Sequence, residues 1–374
     1  MPNDYHQKAS KTQLEALRKL QSELPDMCID YFIAIEPQTG MLTRLAYAHD
    51  LKIFFQYLSS EVGKFEGKPV TAFTSDDMKQ ITKSDIERYT QFLSLYYVNE
   101  ESDNGQVISR EIENSEYGKM RKLSALRSFF KYLYADGKID GNVVSLVPLP
   151  KRHEHAIIRL DVDEVARILD EAESGEGLSG RQKKYHQLTQ KRDLAMLTLF
   201  LGTGIRVSEC VSLNIEDFDF EQNAFVVTRK GGQEVILYIS DEIAAALKDY
   251  LVQRREIEAL PGHENAFFLS IQRRRITQRA VENLVKKYAA IAAPLKKKIS
   301  PHKLRSTFGT NLYRETGDIY LVADVLGHSD VNTTRRHYAA MAEDRRREAA
   351  NHVILRDDSP KIAPVKPDAR DAKE

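Results

Sequence analysis

The stretch Ser300–Met341 has the sequence SPHKLRSTFGTNLYRETGDIYLVADVLGHSDVNTTRRHYAAM, and it decides how the rest of the chain is interpreted. Ser300 followed by Pro301 predicts a helix start, because serine is a common N-cap and proline is tolerated at the first helical position. His302 and Arg305 are three residues apart on that predicted helix, so their side chains lie on one face.

The second half of this stretch adds an imidazole and a phenol whose spacing packing does not explain. Leu326-Gly327-His328 is typical of a helix end, where glycine serves as the stop. Tyr338 lies in a further short stretch of helical character. Each of these residues alone has an ordinary structural explanation. Two imidazoles, a guanidinium and a phenol that converge would together suit chemistry on a phosphate.

Length and composition indicate a globular protein of about two domains, with 374 residues of which 42% are hydrophobic. The 55 basic and 55 acidic residues cancel, which argues mildly against nucleic-acid binding. A neutral chain can nevertheless present a basic surface. The basic runs of the C-terminal half are Arg273–Arg275, Lys296–Lys298, Arg335–Arg336 and Arg345–Arg347.

The two cysteines, Cys28 and Cys210, form neither a metal motif nor a disulfide framework, which favours a reducing, cytoplasmic location. The first ten residues, MPNDYHQKAS, lack the apolar core of a signal peptide. No apolar run is long enough for a transmembrane helix, so no membrane contact is expected.

Apolar periodicity predicts helices through the N-terminal half. The expected elements are a helix over 12–24 with a Thr12-x-x-Glu15 capping box, a helix over 42–62, a helix capped by Ser84-x-x-Glu87, a loop over 99–114 and a helix over 117–135.

The C-terminal half has a mixed pattern. The expected elements are a loop over 174–190, a buried helix over 191–201, strands over 224–228 and 235–239 joined by a turn at 229–232, and helices after 280.

The predicted fold class is therefore mainly α with a small β-sheet. The expected organisation is an N-terminal extension (1–24), a helical domain (25–147), a proline-punctuated linker (148–158), an α+β domain (159–356) and a disordered tail (357–374).

Two further segments carry candidate chemistry. In Gly202-Thr203-Gly204-Ile205-Arg206-Val207-Ser208-Glu209 the glycines break a buried helix, and Arg206 and Glu209 then share a face of the next one. Such a pair is by itself most often a structural ion pair. Lys230 lies at the tip of the predicted hairpin between glycine-rich neighbours, which would let the backbone approach a ligand closely.

Taken in order, these residues resemble the motif set of the tyrosine recombinases, the phage integrase family. The arrangement is Gly-x-Arg-x-Ser-Glu, a hairpin lysine, His-x-x-Arg, Leu-Gly-His and then tyrosine. The N-terminal half resembles the family's helical core-binding (SAM-like) domain in layout, and the helix over 42–62 looks like the one that bears a tyrosine, here Tyr47. The α+β domain would be the catalytic domain.

One spacing departs from the family pattern. Many members place the nucleophilic tyrosine nine residues after the second histidine, whereas Tyr338 follows His328 by ten. Tyr313 and Tyr320 precede His328, and no tyrosine follows Tyr338. Tyr338 therefore remains the expected nucleophile.

The resemblance implies a DNA strand-transfer reaction that needs no cofactor, no metal ion and no ATP. Tyrosine would attack the phosphodiester, leaving a 3′-phosphotyrosine and a free 5′-hydroxyl. The implied catalytic set is Arg206, Lys230, His302, Arg305, His328 and Tyr338, with Glu209 in a supporting role. The two arginines and His328 would stabilise charge on the phosphate, His302 would accept the phenol proton, and Lys230 would protonate the leaving oxygen.

The implied partner is double-stranded DNA, bound by a homotetramer on two sites or by a hetero-oligomer with a paralogue. The resemblance leaves integration, excision and dimer resolution open. Two alternatives also stay open: DNA relaxation by a type IB topoisomerase-like monomer, and a non-catalytic DNA-binding relative.

Overall fold

The computed structural model describes residues 4–101, 107–150, 159–229, 231–296, 298–328 and Val331. The chain divides into two compact units, Met1–His155 and Ala156–Glu374. The finer division of the chain into five segments remains a prediction.

The first unit is helical with one β-hairpin. Its elements are α1 (Asp4–Gln21), α2 (Asp26–Ile35), α3 (Met41–Glu61), α4 (Ser75–Lys79), α5 (Lys83–Phe92), β1 (Leu95–Glu101), β2 (Val107–Glu113) and α6 (Glu116–Ala135). Aromatic rings from α2, α3 and α6 fill its core, among them Tyr31, Phe54, Phe55, Phe129 and Phe130. The helices predicted over 42–62 and 117–135 are confirmed as α3 and α6.

The loop predicted over 99–114 is wrong, because most of it forms the β1–β2 hairpin. The two strands pair antiparallel from Leu95 opposite Glu113 to Glu101 opposite Val107. Tyr96 is buried, whereas its neighbour Tyr97 is 61% exposed. The alternation of a strand is therefore present at the start of β1, before the predicted loop, whereas Ser109, Arg110 and Glu111 of β2 are all exposed and give no such signal.

Two predicted helix starts are also wrong. Thr12 lies inside α1, because that helix already begins at Asp4. The helix predicted to be capped by Ser84 instead begins after Thr82, whose hydroxyl accepts from the Asp85 backbone amide at 3.3 Å. A Thr-x-x-Asp capping box two residues earlier provides acceptors for the first backbone amides of the helix, which have no acceptor within the helix itself.

The second unit is built around one long helix whose C-terminal half is buried. Its elements are α7 (Val162–Ser174), α8 (Gly180–Thr203), α9 (Val207–Ser212), β3 (Phe218–Asp219), β4 (Ala224–Thr228), β5 (Glu234–Tyr238), α10 (Asp241–Glu256), α11 (Gln278–Ala292), α12 (Pro301–Thr316) and α13 (Ile319–Leu326). α8 packs against α7, α10 and α12. Its C-terminal half is buried on all sides, at Ala195, Met196, Leu197, Leu199 and Phe200.

The small sheet has the order β3-β4-β5 and is antiparallel throughout. The β4–β5 hairpin and the helices after residue 280 are confirmed, while β3 was not predicted. The loop predicted over 174–190 is wrong from Gly180 onward, because α8 begins there behind a Ser179–Gln182 capping box. The exposed polar side chains of this first half of α8 had suggested a loop.

The predicted fold class, mainly α with a small β-sheet, is confirmed, and the β1–β2 sheet of the first unit adds a second small sheet. Across the described residues, no helix has both the length and the apolar character required to cross a bilayer.

Candidate active site

Arg206 is placed by the junction between α8 and α9. Gly204 ends α8 in the left-handed conformation (φ 62°), and Arg206 is the N-cap of α9. A Cβ at Gly204 would come within 2.5 Å of the Phe308 ring, so only glycine fits this turn. The predicted glycine break and the helix start behind it are both present.

A buried carboxylate orients Arg206. Its Nη1 donates to Glu209 Oε1 at 2.7 Å, and its backbone amide donates to Glu209 Oε2 at 2.9 Å. The Glu209 side chain is only 5% exposed, whereas that of Arg206 is 33% exposed. The predicted shared face is confirmed, and it holds a guanidinium that is still reachable from solvent.

Arg305 reaches the same junction from α12. It is buried, and its Nη1 donates to the Gly204 carbonyl at 2.5 Å while its Nη2 donates to the Leu326 carbonyl. Ser300 and Pro301 begin α12 as predicted, although the serine side chain makes no capping hydrogen bond. His302 lies one turn before Arg305 and is exposed.

The C-terminal end of α13 is where these residues meet. Gly327 ends the helix in the left-handed conformation (φ 61°), as predicted. Arg206 Nη2 donates to the Gly327 carbonyl at 2.8 Å, next to the Leu326 carbonyl that Arg305 binds. His328 follows directly, half-buried, with its backbone amide donating to the Ala323 carbonyl at 2.9 Å.

A third arginine, which the sequence did not single out, also binds this helix end. Arg229 Nη2 donates to the Val325 carbonyl at 2.8 Å, and its Nη1 donates to the Asp324 carbonyl at 3.3 Å. Burial lowers the pKa of its guanidinium; the Glu209 carboxylate opposes that effect and the Arg206 charge adds to it. Its only sequence signal is its position directly before Lys230.

The structure thus brings together Arg206, Glu209, Arg305 and His328, with His302 one turn away on α12. Lys230 and Tyr338 lie outside the described residues. Planar guanidinium groups bind phosphate oxygens bidentately, and rigid placement lets them act on charge that develops during a reaction. The arrangement is therefore suited to a phosphodiester.

Both cysteines are buried, and burial raises the pKa of each thiol well above its ordinary value. Within the part of the chain that the structure describes, His, Cys, Asp and Glu side chains form no cluster of three or more that could hold a metal ion.

The sequence model of the phage integrase family matches residues 158–345, about half of the chain.

Named relatives match over most of their length. Tyrosine recombinase XerC of Thermodesulfovibrio yellowstonii is 32% identical over 296 residues, covering 78% of this chain and 84% of the relative. Tyrosine recombinase XerS of Streptococcus uberis is 29% identical over 342 residues, covering 86% of this chain and 93% of the relative.

Solved structures share the fold at low sequence identity. The XerH site-specific recombinase bound to a palindromic difH substrate has a TM-score of 0.58 at 21% identity, covering 84% of this chain and 80% of that one. The Tn1549 transposon integrase in complex with transposon right end DNA has a TM-score of 0.60 at 19% identity, covering 88% and 99%.

Proposed function

This chain belongs to the phage integrase family and is a tyrosine recombinase, an enzyme that cuts and rejoins DNA, and we propose that it does so through a 3′-phosphotyrosine formed by Tyr338. The observation that carries this proposal is the convergence of Arg206 and Arg305. They come from different helices and donate to the consecutive carbonyls of Gly327 and Leu326.

Arg206 and Arg305 would grip the non-bridging oxygens of the scissile phosphate. Negative charge on those oxygens rises as the pentacoordinate transition state forms, so donors held in place beforehand stabilise that state more than the ground state. Glu209 would hold Arg206 in the right orientation through the 2.7 Å hydrogen bond. His328, directly beyond the helix end, would donate to the same oxygens.

Proton transfer would involve the two remaining basic residues. The Tyr338 oxygen forms a bond to phosphorus while the bond to the 5′-oxygen breaks. His302 would accept the phenol proton, and Lys230 would supply a proton to the leaving 5′-oxygen. Tyrosine has an ordinary pKa of about 10, so its phenol is almost entirely protonated at neutral pH. The positive charges of the guanidinium groups would favour the phenolate. The covalent link keeps the bond energy, so religation needs no ATP, metal ion or cofactor.

For assembly we propose a homotetramer on two duplex sites, with a hetero-oligomer containing a paralogue as the alternative. The solved XerH and Tn1549 structures contain DNA, which supports double-stranded DNA as the partner. A cytoplasmic location would follow from that partner. The biological setting would be DNA integration, excision or dimer resolution.

The decisive experiment uses a nicked duplex that carries the cognate site and traps the covalent intermediate, incubated with the enzyme in EDTA. The native chain should form a covalent protein–DNA adduct, and Tyr338→Phe should form none. An adduct that persists in Tyr338→Phe would show that another residue is the nucleophile. A strict requirement for a metal ion would contradict the proposed mechanism.

The same reagents separate the alternatives. A non-catalytic relative would bind the site without any adduct. A topoisomerase-like enzyme would relax supercoiled DNA as a dilute monomer and would need no second site.

A further inference from the structure

Three arginines bind the four consecutive carbonyls that end α13. Arg229 takes those of Asp324 and Val325, and Arg305 and Arg206 take the next two. The last carbonyls of a helix largely lack an intrahelical amide partner and carry the negative end of the helix dipole, so cations suit this position. The Asp324 carbonyl here also accepts from the Gly327 amide at 2.8 Å. Arg229 differs from the other two because it comes from the β4–β5 hairpin.

The backbone of Arg229 is part of the hairpin turn. Its amide donates to the Gln233 carbonyl at 2.7 Å, and its own carbonyl accepts from the Gly232 amide at 3.0 Å. Its side chain meanwhile crosses to α13. Arg229, which directly precedes Lys230 in the sequence, therefore fixes the base of the hairpin turn and ties it to the helix end that holds Arg206 and Arg305.

Gly327 leaves room for this contact. A Cβ built on Gly327 would overlap Nη1 and Cζ of Arg229, so the guanidinium occupies the space that any other residue would fill. The end of α13 thus accommodates Arg229 through its shape as well as through its carbonyls.

We propose that Arg229 is a positioning residue that sets Lys230 at the leaving 5′-oxygen by anchoring the hairpin to α13. The inference rests on the proposed role of Lys230 as the general acid. Arg229 acts through Lys230, so its loss should affect protonation of the leaving group and leave phosphate binding and nucleophilic attack intact.

A substrate with sulfur in place of the bridging 5′-oxygen tests this directly. A thiolate leaves without being protonated, so the reaction with this substrate no longer needs a general acid. Lys230→Ala should cleave the oxygen substrate about 10²-fold or more slowly than the native chain, and cleave the sulfur substrate at close to the native rate. Arg229→Ala should show the same pattern, with a loss of at least about tenfold on oxygen.

Three companion variants sharpen the comparison. Arg229→Lys, which cannot donate to two carbonyls in a planar fork, should fall between Arg229→Ala and the native chain. The double variant lacking both Arg229 and Lys230 side chains should cleave the oxygen substrate no more slowly than Lys230→Ala, because both substitutions remove the same general-acid step. Arg279→Ala, an 81% exposed side chain on α11, should match the native chain on both substrates.

The outcomes separate the inference from the proposed function. If sulfur fails to restore Lys230→Ala, the general-acid role of Lys230 is wrong. If sulfur restores Lys230→Ala but leaves Arg229→Ala slow, Arg229 serves the fold or the phosphate, and the inference is overturned. Cleavage of the oxygen substrate by Arg229→Ala at the native rate would overturn the inference as well.

Discussion

At the scale of single residues, the candidate site is distinguished by the geometry of its arginines more than by unusual chemistry. Arg206 and Arg305 each bind a carbonyl of the α13 end through Nη2, while their Nη1 atoms donate to Glu209 and to the Gly204 carbonyl respectively. A planar guanidinium held in this way offers its donors to a phosphate in a fixed geometry, which a flexible ammonium cannot do.

Replacing either arginine by lysine keeps the charge and removes the fork. Arg206→Lys and Arg305→Lys should therefore lower the single-turnover rate of adduct formation by about 10²–10³-fold. Gel-shift affinity for the site should change far less. Arg279→Lys is the matched control on an exposed position and should cleave at the native rate. Rates within about twofold of native for both site variants would contradict the proposed clamp.

Gly327 offers a second prediction at this scale. Gly327→Ala should cost about 1 kcal/mol of stability because of its left-handed backbone, and should also displace Arg229, so cleavage should fall. Gly137→Ala is the control, since Gly137 has a similar φ (68°) and open space where its Cβ would lie. Thermal unfolding and adduct formation measure the two effects. Equal activity of both variants would show that the overlap of a Cβ at residue 327 with the Arg229 guanidinium does not affect cleavage.

At the scale of elements, one buried carboxylate ties α8 to α11. Asp193 accepts from Lys287 Nζ at 3.0 Å and from the Tyr288 hydroxyl at 2.9 Å, both on α11, and its other oxygen pairs with Arg192. Burial alone would raise the pKa of Asp193, but the Arg192 and Lys287 charges outweigh burial and lower it.

Removing that carboxylate should destabilise the second unit. Asp193→Ala removes the carboxylate that pairs with Lys287 and Arg192, while the Tyr288 hydroxyl keeps its contact with His186 Nδ1 at 3.2 Å. Breaking a buried pair in this way typically costs about 3–5 kcal/mol. Urea unfolding measured at neutral pH should show the loss, and the exposed Asp170→Ala should not. Unchanged stability would mean that the network contributes nothing.

The difference in unfolding free energy between the native chain and Asp193→Ala should depend on pH with a defined sign. A carboxyl whose native pKa is lowered stabilises the fold fully above its ordinary pKa, and the stabilisation is lost as the pH falls through the native value. The stability gap between the native chain and Asp193→Ala should therefore be constant near neutrality and shrink on acidification. A gap that widened in acid would contradict this account.

At the scale of the whole molecule, a chain with no net charge acts on a polyanion. Affinity must then come from basic groups gathered locally, and it should fall steeply with salt because each phosphate contact releases counterions. For six or more phosphate contacts the loss between 50 and 200 mM salt is about 10³-fold or greater. Fluorescence anisotropy with a labelled site measures it. A flat salt response would show that phosphate contacts do not dominate.

The sequence predicted local features of the site and missed its long-range ones. The Arg206–Glu209 pair and the Gly327 stop follow from spacings within one turn, and both are present. The Arg229 anchor is invisible in sequence, since an arginine before a turn has no local pattern and its acceptor lies 96 residues away. The β1–β2 hairpin and the start of α8 were missed because polar, exposed residues dilute the periodicity on which such predictions depend.

The arginine-bound end of α13 also bears on when an enzyme of this kind becomes able to cut. Arg206 is separated by 121 residues from its carbonyl at Gly327. During synthesis it is therefore made long before its acceptor leaves the ribosome. A nascent chain that stops short of Gly327 has the arginines and the hairpin but no common anchor for them. Competence to break DNA should accordingly arrive late and abruptly, only after nearly the whole catalytic unit has been made and folded.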